Sequence, residues 1–179
     1  MLLTRSLETD VRQTRPFPWS KMSLIVNLAI NSHSLEVRNT CILVIISVCF
    51  ALRASNITGQ YAISFSDFNF CNSGKLLSLT LRKSKSGRKI IPYFDEAFAD
   101  LNIHIFMADL QKFSNMPLHE ALGVTGSNIR VLLSPFTQHS LRVTAARRLI
   151  SLGFNDAQLT ALGGWSSVEL GRYYALADE

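Results

Sequence analysis

The sequence predicts an α+β fold, mainly helical, with one small three-stranded antiparallel sheet. Three observations predict it. Apolar residues recur at helical spacing in the first third of the chain and again in its last third. Between Tyr61 and Tyr93 the pattern changes to short β-rich runs separated by turn residues. From Asp95 onward the helical pattern returns, cut by cap-forming residues and by the pair Gly163-Gly164. A length of 179 residues suits one domain, and a hydrophobic share of 47% is enough to bury a core.

Residues Met1 to Ser20 are polar and end in RPFPWS, where Pro16 and Pro18 break any helix. They are read as a lead-in or linker stub (1–20), with the domain proper at 21–179. Lys21 to Ser32 carries Met22, Ile25, Val26 and Ala29 on one helical face. Ser34 is placed to cap the next helix, with Glu36 in its first turn. That helix contains the run CILVIISVCFAL, Cys41 to Leu52, and delivers Arg53 at or beyond its end. Tyr61 to Phe70 alternates in part and suggests a strand; Cys71 to Gly74 is a turn. Leu76 to Arg82 is a second strand, Ser86-Gly87 a turn, and Lys89 to Tyr93 the returning third. Asp95 to Phe113 reads as one helix, and Asn115 to Asn128 as a loop with some helix. Gln138 to Leu152 is a strong helix with Gly153 just beyond it. Asn155 with Gln158 opens a short helix that Gly163-Gly164 closes. Ser166 or Ser167 starts the last helix, which carries Tyr173 and Tyr174.

Lys plus Arg is 18 against 13 for Asp plus Glu, a net charge of +5 that suits a nucleic-acid partner. Cys41, Cys49 and Cys71 are an odd count without a CxxC pair, which argues against a disulfide framework or a zinc site and for buried thiols in a reducing compartment. The four histidines are scattered with no HExxH, so no metal or other cofactor is expected. The apolar run is 12 residues long, whereas a membrane span needs about 20. A buried helix is expected there, with no membrane partner and no signal peptide.

The most informative segment is HSLRVTAARRLISLGFNDAQLTALGGWSSVELGRYY, His139 to Tyr174. It holds HxxR (His139, Arg142), then GGW (Gly163 to Trp165), then RYY. Trp165 follows His139 by 26 residues, and Tyr174 follows Trp165 by nine. This pattern resembles the second half of the catalytic motif of the tyrosine recombinases, the phage-integrase family, in its Cre-like form with Trp after the glycines. Upstream, ALRASN (Ala51 to Asn56) resembles the family's G-L-R-x-S-E segment, and KSKSGRKIIP resembles its lysine-bearing β-hairpin. The likeness runs from about Pro18 to the end of the chain and points to a mobile-element source.

The resemblance implies strand cleavage and rejoining of double-stranded DNA in recombination or integration, inside the cell: in the nucleus of a eukaryote, otherwise in the cytoplasm or nucleoid. Arg53 and Arg142 would clamp the nonbridging phosphate oxygens, since paired guanidinium hydrogen bonds match the charge of a phosphorane-like transition state. Tyr174, at the nine-residue offset, would be the nucleophile and become a 3′-phosphotyrosine; Tyr173 would be its structural neighbour. His139, one turn before Arg142, would accept a proton or bond the phosphate. Lys85 would protonate the departing 5′ oxygen, with Lys83 as the second choice. Trp165 would donate its indole N–H or pack beneath the tyrosine. Arg82, Lys83, Arg88, Lys89 and Arg147 are the further DNA contacts expected. An active enzyme would work as a homo-oligomer, a tetramer on DNA.

Three departures from the family pattern bear on activity. Asn56 stands where the family has Glu or Asp. Met1 to Ser20 is too short for the family's helical clamp domain, and five residues follow Tyr174 where a docking tail is usual. The competing expectation is a truncated or domesticated relic that holds DNA without recombining it. A type IB topoisomerase shares the chemistry but not the HSLR to GGW pattern.

Overall fold

A computed structural model describes residues 15–84 and 87–176. Helix α1 (Trp19–Asn31) starts directly after Pro18, and its buried stripe is Met22, Ile25, Val26 and Ala29. The lead-in joins the fold before that point. Phe17 is buried against the ring of Phe136, and its carbonyl accepts from the Thr144 hydroxyl.

Helix α2 (Leu35–Cys49) is the centre of the molecule. Ser34 caps it, its hydroxyl accepting from the Val37 N–H at 3.3 Å. Every residue from Leu43 to Cys49 is buried. A helix apolar on all sides needs partners on all sides, and α2 has them in α1 and in the later helices described below. No helix among the described residues is long and apolar enough to cross a membrane. The chain leaves α2 through Ala51, whose φ of 47° is unusual for a residue with a Cβ, and enters the short helix α3 (Ala54–Ile57) with Arg53 at its N-cap.

The sheet has the order β1-β2-β3, antiparallel throughout: β1 (Phe68–Phe70), β2 (Leu76–Leu81) and β3 (Lys89–Pro92). Its first strand is shorter than the alternation from Tyr61 suggests. Ser64 and Asp67 form a reciprocal capping pair that winds Phe65–Asp67 into a 3-10 turn, so pairing begins only at Phe68. The β2–β3 register sets Leu79 opposite Ile91 and Leu81 opposite Lys89.

The stretch expected as one helix, Asp95 to Phe113, is broken. Helix α4 (Asp95–Phe98) tightens into a 3-10 turn, Asn102 turns left-handed at φ 53°, and α5 (Ile103–Leu110) starts afresh. Asn tolerates that conformation better than most residues, which is why the break falls there. Next come α6 (Leu118–Leu122) and α7 (Gly126–Leu133), the latter opened by a Thr125–Asn128 capping box. Helix α8 (Gln138–Ser151) crosses α2, with α9 (Asp156–Gly163) and α10 (Ser167–Ala175) packed on it. The capping boxes Asn155–Gln158 and Ser166–Glu169 fix where those last two helices begin. Helix α9 also packs on β3, which brings the GGW turn to the end of the sheet.

Candidate active site

The end of α2, the start of α8, the α9–α10 turn and the edge of β3 meet around two adjoining cavities. Arg53 and Arg142 line both. The first, about 200 Å³, adds Asn56, Leu81, Ser84, Lys89, Ile91 and Gly164 among its walls. The second, about 300 Å³, is lined by Arg53, Ala54, Gln138, His139, Arg142, Trp165, Glu169 and Tyr173. Of the six residues that the family pattern singles out, Arg53, His139, Arg142 and Trp165 come together here.

Arg142 is the structural knot of the site. It is only 6% exposed. One guanidinium nitrogen donates to the Ala51 carbonyl and another to the Gly163 carbonyl, the latter at 3.1 Å. It therefore ties the exit of α2 to the end of α9, and its cation lies 5.4 Å from the centre of the Trp165 ring. Burial, and after it the charge of Arg53, push its pKa down to about 10, with Tyr173 and Glu169 opposing. It stays charged at neutral pH. Arg53 is solvent-exposed at the mouth.

The two glycines before Trp165 have separate steric reasons. A Cβ on Gly163 would sit 2.4 Å from the Trp165 ring. Gly164 has φ +66°, and a Cβ there would lie 2.9 Å from the Lys89 ammonium nitrogen. Trp165 is 3% exposed, and its indole N–H is buried without a well-formed hydrogen bond. It nevertheless lies close enough to Tyr173 to favour the phenolate.

The structure places the two tyrosines of the RYY run on different sides of α10. Tyr173 is 3% exposed, packs edge-on to Trp165 at 5.6 Å between ring centres, and lines the cleft. Tyr174 is 46% exposed on another side of α10, and its hydroxyl donates to Asp156 at 2.6 Å. That hydrogen bond holds the Tyr174 phenol protonated to higher pH. Burial, the largest influence, raises the Tyr173 pKa, and Arg142 draws it back.

Lys85 lies outside the described residues. The lysine seen in the cleft is Lys89, expected only as a DNA contact. It shares a strand face with buried Ile91. Burial first, then Arg142 and Arg53, lower its pKa. That alternation, with Lys on the inward side, was the available signal. His139 sits in the first turn of α8. Burial and then Arg142 lower its pKa, Glu169 opposes, and Arg53 adds to the lowering, so the imidazole is neutral at pH 7. Sequence reasoning passed over Gln138 and Glu169. Gln138 directly precedes His139, and its side-chain N–H2 is buried without a partner. Glu169 stands four residues, one helical turn, before Tyr173.

Of the remaining basic residues, Lys83 and Arg88 are exposed on the β2–β3 hairpin. Arg82 is also exposed but pairs with Asp67 at 2.9 Å. Arg147, expected as a DNA contact, donates from one guanidinium nitrogen to the Tyr173 carbonyl at 2.9 Å, fastening α10 to α8. Among the described residues no group of three or more His, Cys, Asp or Glu is placed to hold a metal ion.

Chemically, the two cavities are lined mainly by cationic and N–H-donating groups, with one phenol, that of Tyr173, in the wall. Two guanidiniums line both cavities, with an ammonium on the wall of the first and an imidazole and two buried N–H donors on the wall of the second, an arrangement suited to an oxyanion with several oxygens.

No family model matches the chain, and no curated protein does. Among solved structures, the fold is similar to that of the Tn1549 transposon integrase (aa 82–397), determined in complex with circular intermediate DNA. The TM-score is 0.59 with 16% of residues identical, over 92% of this chain and 62% of that one. The likeness shows a shared fold, and the chain spans less than two thirds of the integrase structure.

Proposed function

We propose that the protein cleaves and rejoins DNA strands through a covalent 3′-phosphotyrosine intermediate, in site-specific recombination or integration, with Tyr173 as nucleophile. One observation carries the reading: the Arg53–Arg142 pair is shared by two adjoining cavities, one holding Tyr173 and the other Lys89. In-line displacement at phosphorus needs such a layout, with the entering oxygen on one side of the clamped phosphate and the leaving oxygen on the other.

In this mechanism a phosphodiester enters between the arginines. The Tyr173 oxygen bonds to phosphorus as its proton passes to His139, which is neutral and able to accept it. The P–O5′ bond breaks, and the leaving oxygen takes a proton from Lys89, whose lowered pKa makes it a readier acid. Trp165 and Gln138 offer N–H donors to the nonbridging oxygens. Reversal of these steps rejoins a strand, because the ester energy is kept in the phosphotyrosine. Lys83, Arg88 and Arg82 on the hairpin contact the duplex backbone, and the active species is a homo-oligomer, a tetramer on DNA. The fold shared with a transposon integrase supports this assignment.

The test uses a nicked duplex from which cleavage releases a short fragment and traps the protein. Wild type is expected to form a denaturation-resistant protein–DNA adduct. Arg53→Ala removes an exposed cation with little effect on folding, and its adduct rate is expected to fall by about 100-fold or more, the scale of losing one charge-stabilising donor. Wild type binding this DNA without any adduct, in oligomers as well as monomers, would favour a protein that only holds DNA. The neutral Asn56, in the place of a carboxylate, is the observation that favours that second reading.

A further inference from the structure

The cleft gathers Arg53, Arg142, Lys89 and His139, yet among the described residues lining its two cavities there is a single acidic side chain, Glu169. Its position is built. The backbone N–H of Ser166 donates to one carboxylate oxygen at 2.8 Å, and the Ser166 hydroxyl accepts from the Glu169 N–H at 3.2 Å. This reciprocal pair pins Glu169 to the first turn of α10, one turn from Tyr173 on the same helix face. Asn56, buried at the wall of the neighbouring cavity, brings no charge.

We propose that Glu169 is a positioning residue of the cleft: from the α10 side it supplies the carboxylate that Asn56 does not, and holds the His139 imidazole ready to receive the Tyr173 proton. This rests on the strand-cleavage reading above and extends it. The groups facing His139 are Arg142 on its own helix, Arg53 from the α2–α3 junction, and Glu169 and Tyr173 from α10. Two fixed cations beside an imidazole weaken it as a base, because the proton it accepts adds a third positive charge. A carboxylate in the same space offsets that repulsion. The proton balance is unchanged: Tyr173 loses one to His139 as its oxygen bonds to phosphorus, and Glu169 takes no part in the transfer.

The bland alternative is that Glu169 only caps α10. Glu169→Gln separates the two, because Gln at this position keeps the capping pair while removing the charge. Three readouts are taken on the full chain: the His139 titration by NMR without DNA, binding of an uncleavable duplex at fixed salt, and the adduct rate against pH. The expected result is a lower His139 midpoint, tighter DNA binding, and a plateau adduct rate reduced by roughly tenfold. The rising limb of the pH profile should move to lower pH together with the titration. Tighter binding paired with slower cleavage is something a lost cap would not produce. An unchanged His139 midpoint and plateau rate, in a variant that melts like wild type, would overturn the proposal. An adduct-forming wild type with that outcome sinks the role of Glu169 alone. A wild type that forms no adduct sinks the cleavage reading, whatever the titration shows.

Discussion

In the proposed mechanism Arg142 carries two duties that pull in different directions. As a phosphate clamp it needs donors facing the cleft; as a knot it spends two on the Ala51 and Gly163 carbonyls. A guanidinium has five N–H donors in a plane, so one side chain can do both, whereas an ammonium has three on a flexible stem. Removing it orphans two buried acceptors. Arg142→Ala is expected to lose about 2–4 kcal/mol of stability, from two unmet carbonyls, and Arg142→Lys to lose clearly less. Urea unfolding midpoints check this, and an Ala variant as stable as wild type would contradict the knot. At this scale much was legible in the sequence. Arg53, His139, Arg142 and Trp165 were named from the resemblance of their motifs to the tyrosine-recombinase pattern, and they share the second cavity. Lys89 was named only as a DNA contact and Glu169 not at all, because each looks like an ordinary surface charge until β3 and α10 are docked. The purpose of the two glycines was equally hidden, since it is a contact with side chains that follow or lie far away in sequence.

Elements were read best where local chemistry decides them. The capping boxes at Asn155 and Ser166 and the left-handed Gly153 mark helix ends through bonds within a few residues. Apolar periodicity alone did worse. It joined Asp95 to Phe113 into one helix, since it cannot see the left-handed turn at Asn102. Asn102→Ala is expected to cost about 1 kcal/mol, the penalty of a Cβ in that conformation, while Asn102→Gly should be close to neutral. Chemical denaturation of both variants measures it; equal loss in the two would mean that the Asn side chain, not the backbone, matters there. Helix α10 teaches a related point. An offset counted in residues chooses between neighbouring tyrosines, but successive residues on a helix point about 100° apart. Which one faces the cleft depends on the rotation of α10, held by Arg147 on the Tyr173 carbonyl, by Tyr173 against Trp165 and by Tyr174 on Asp156.

For the whole molecule, the site exists only because distant segments meet. The α2 exit, the α8 start, the α9–α10 turn and the β3 edge lie far apart in sequence, and central α2 is the body on which they are assembled. An α+β class could be read from the pattern of elements; the closing of the cleft could not, because it depends on how α9 packs on β3. The central claim is that this cleft makes a covalent bond to DNA through the phenol it encloses. The most direct measurement compares Tyr173→Phe and Tyr174→Phe on the nicked duplex, with the attachment residue of the trapped adduct identified by fragmentation mass spectrometry. Wild type is expected to carry nucleotide on Tyr173, Tyr173→Phe to trap none, and Tyr174→Phe to retain the adduct. Attachment at Tyr174, with Tyr173→Phe still active, would contradict it.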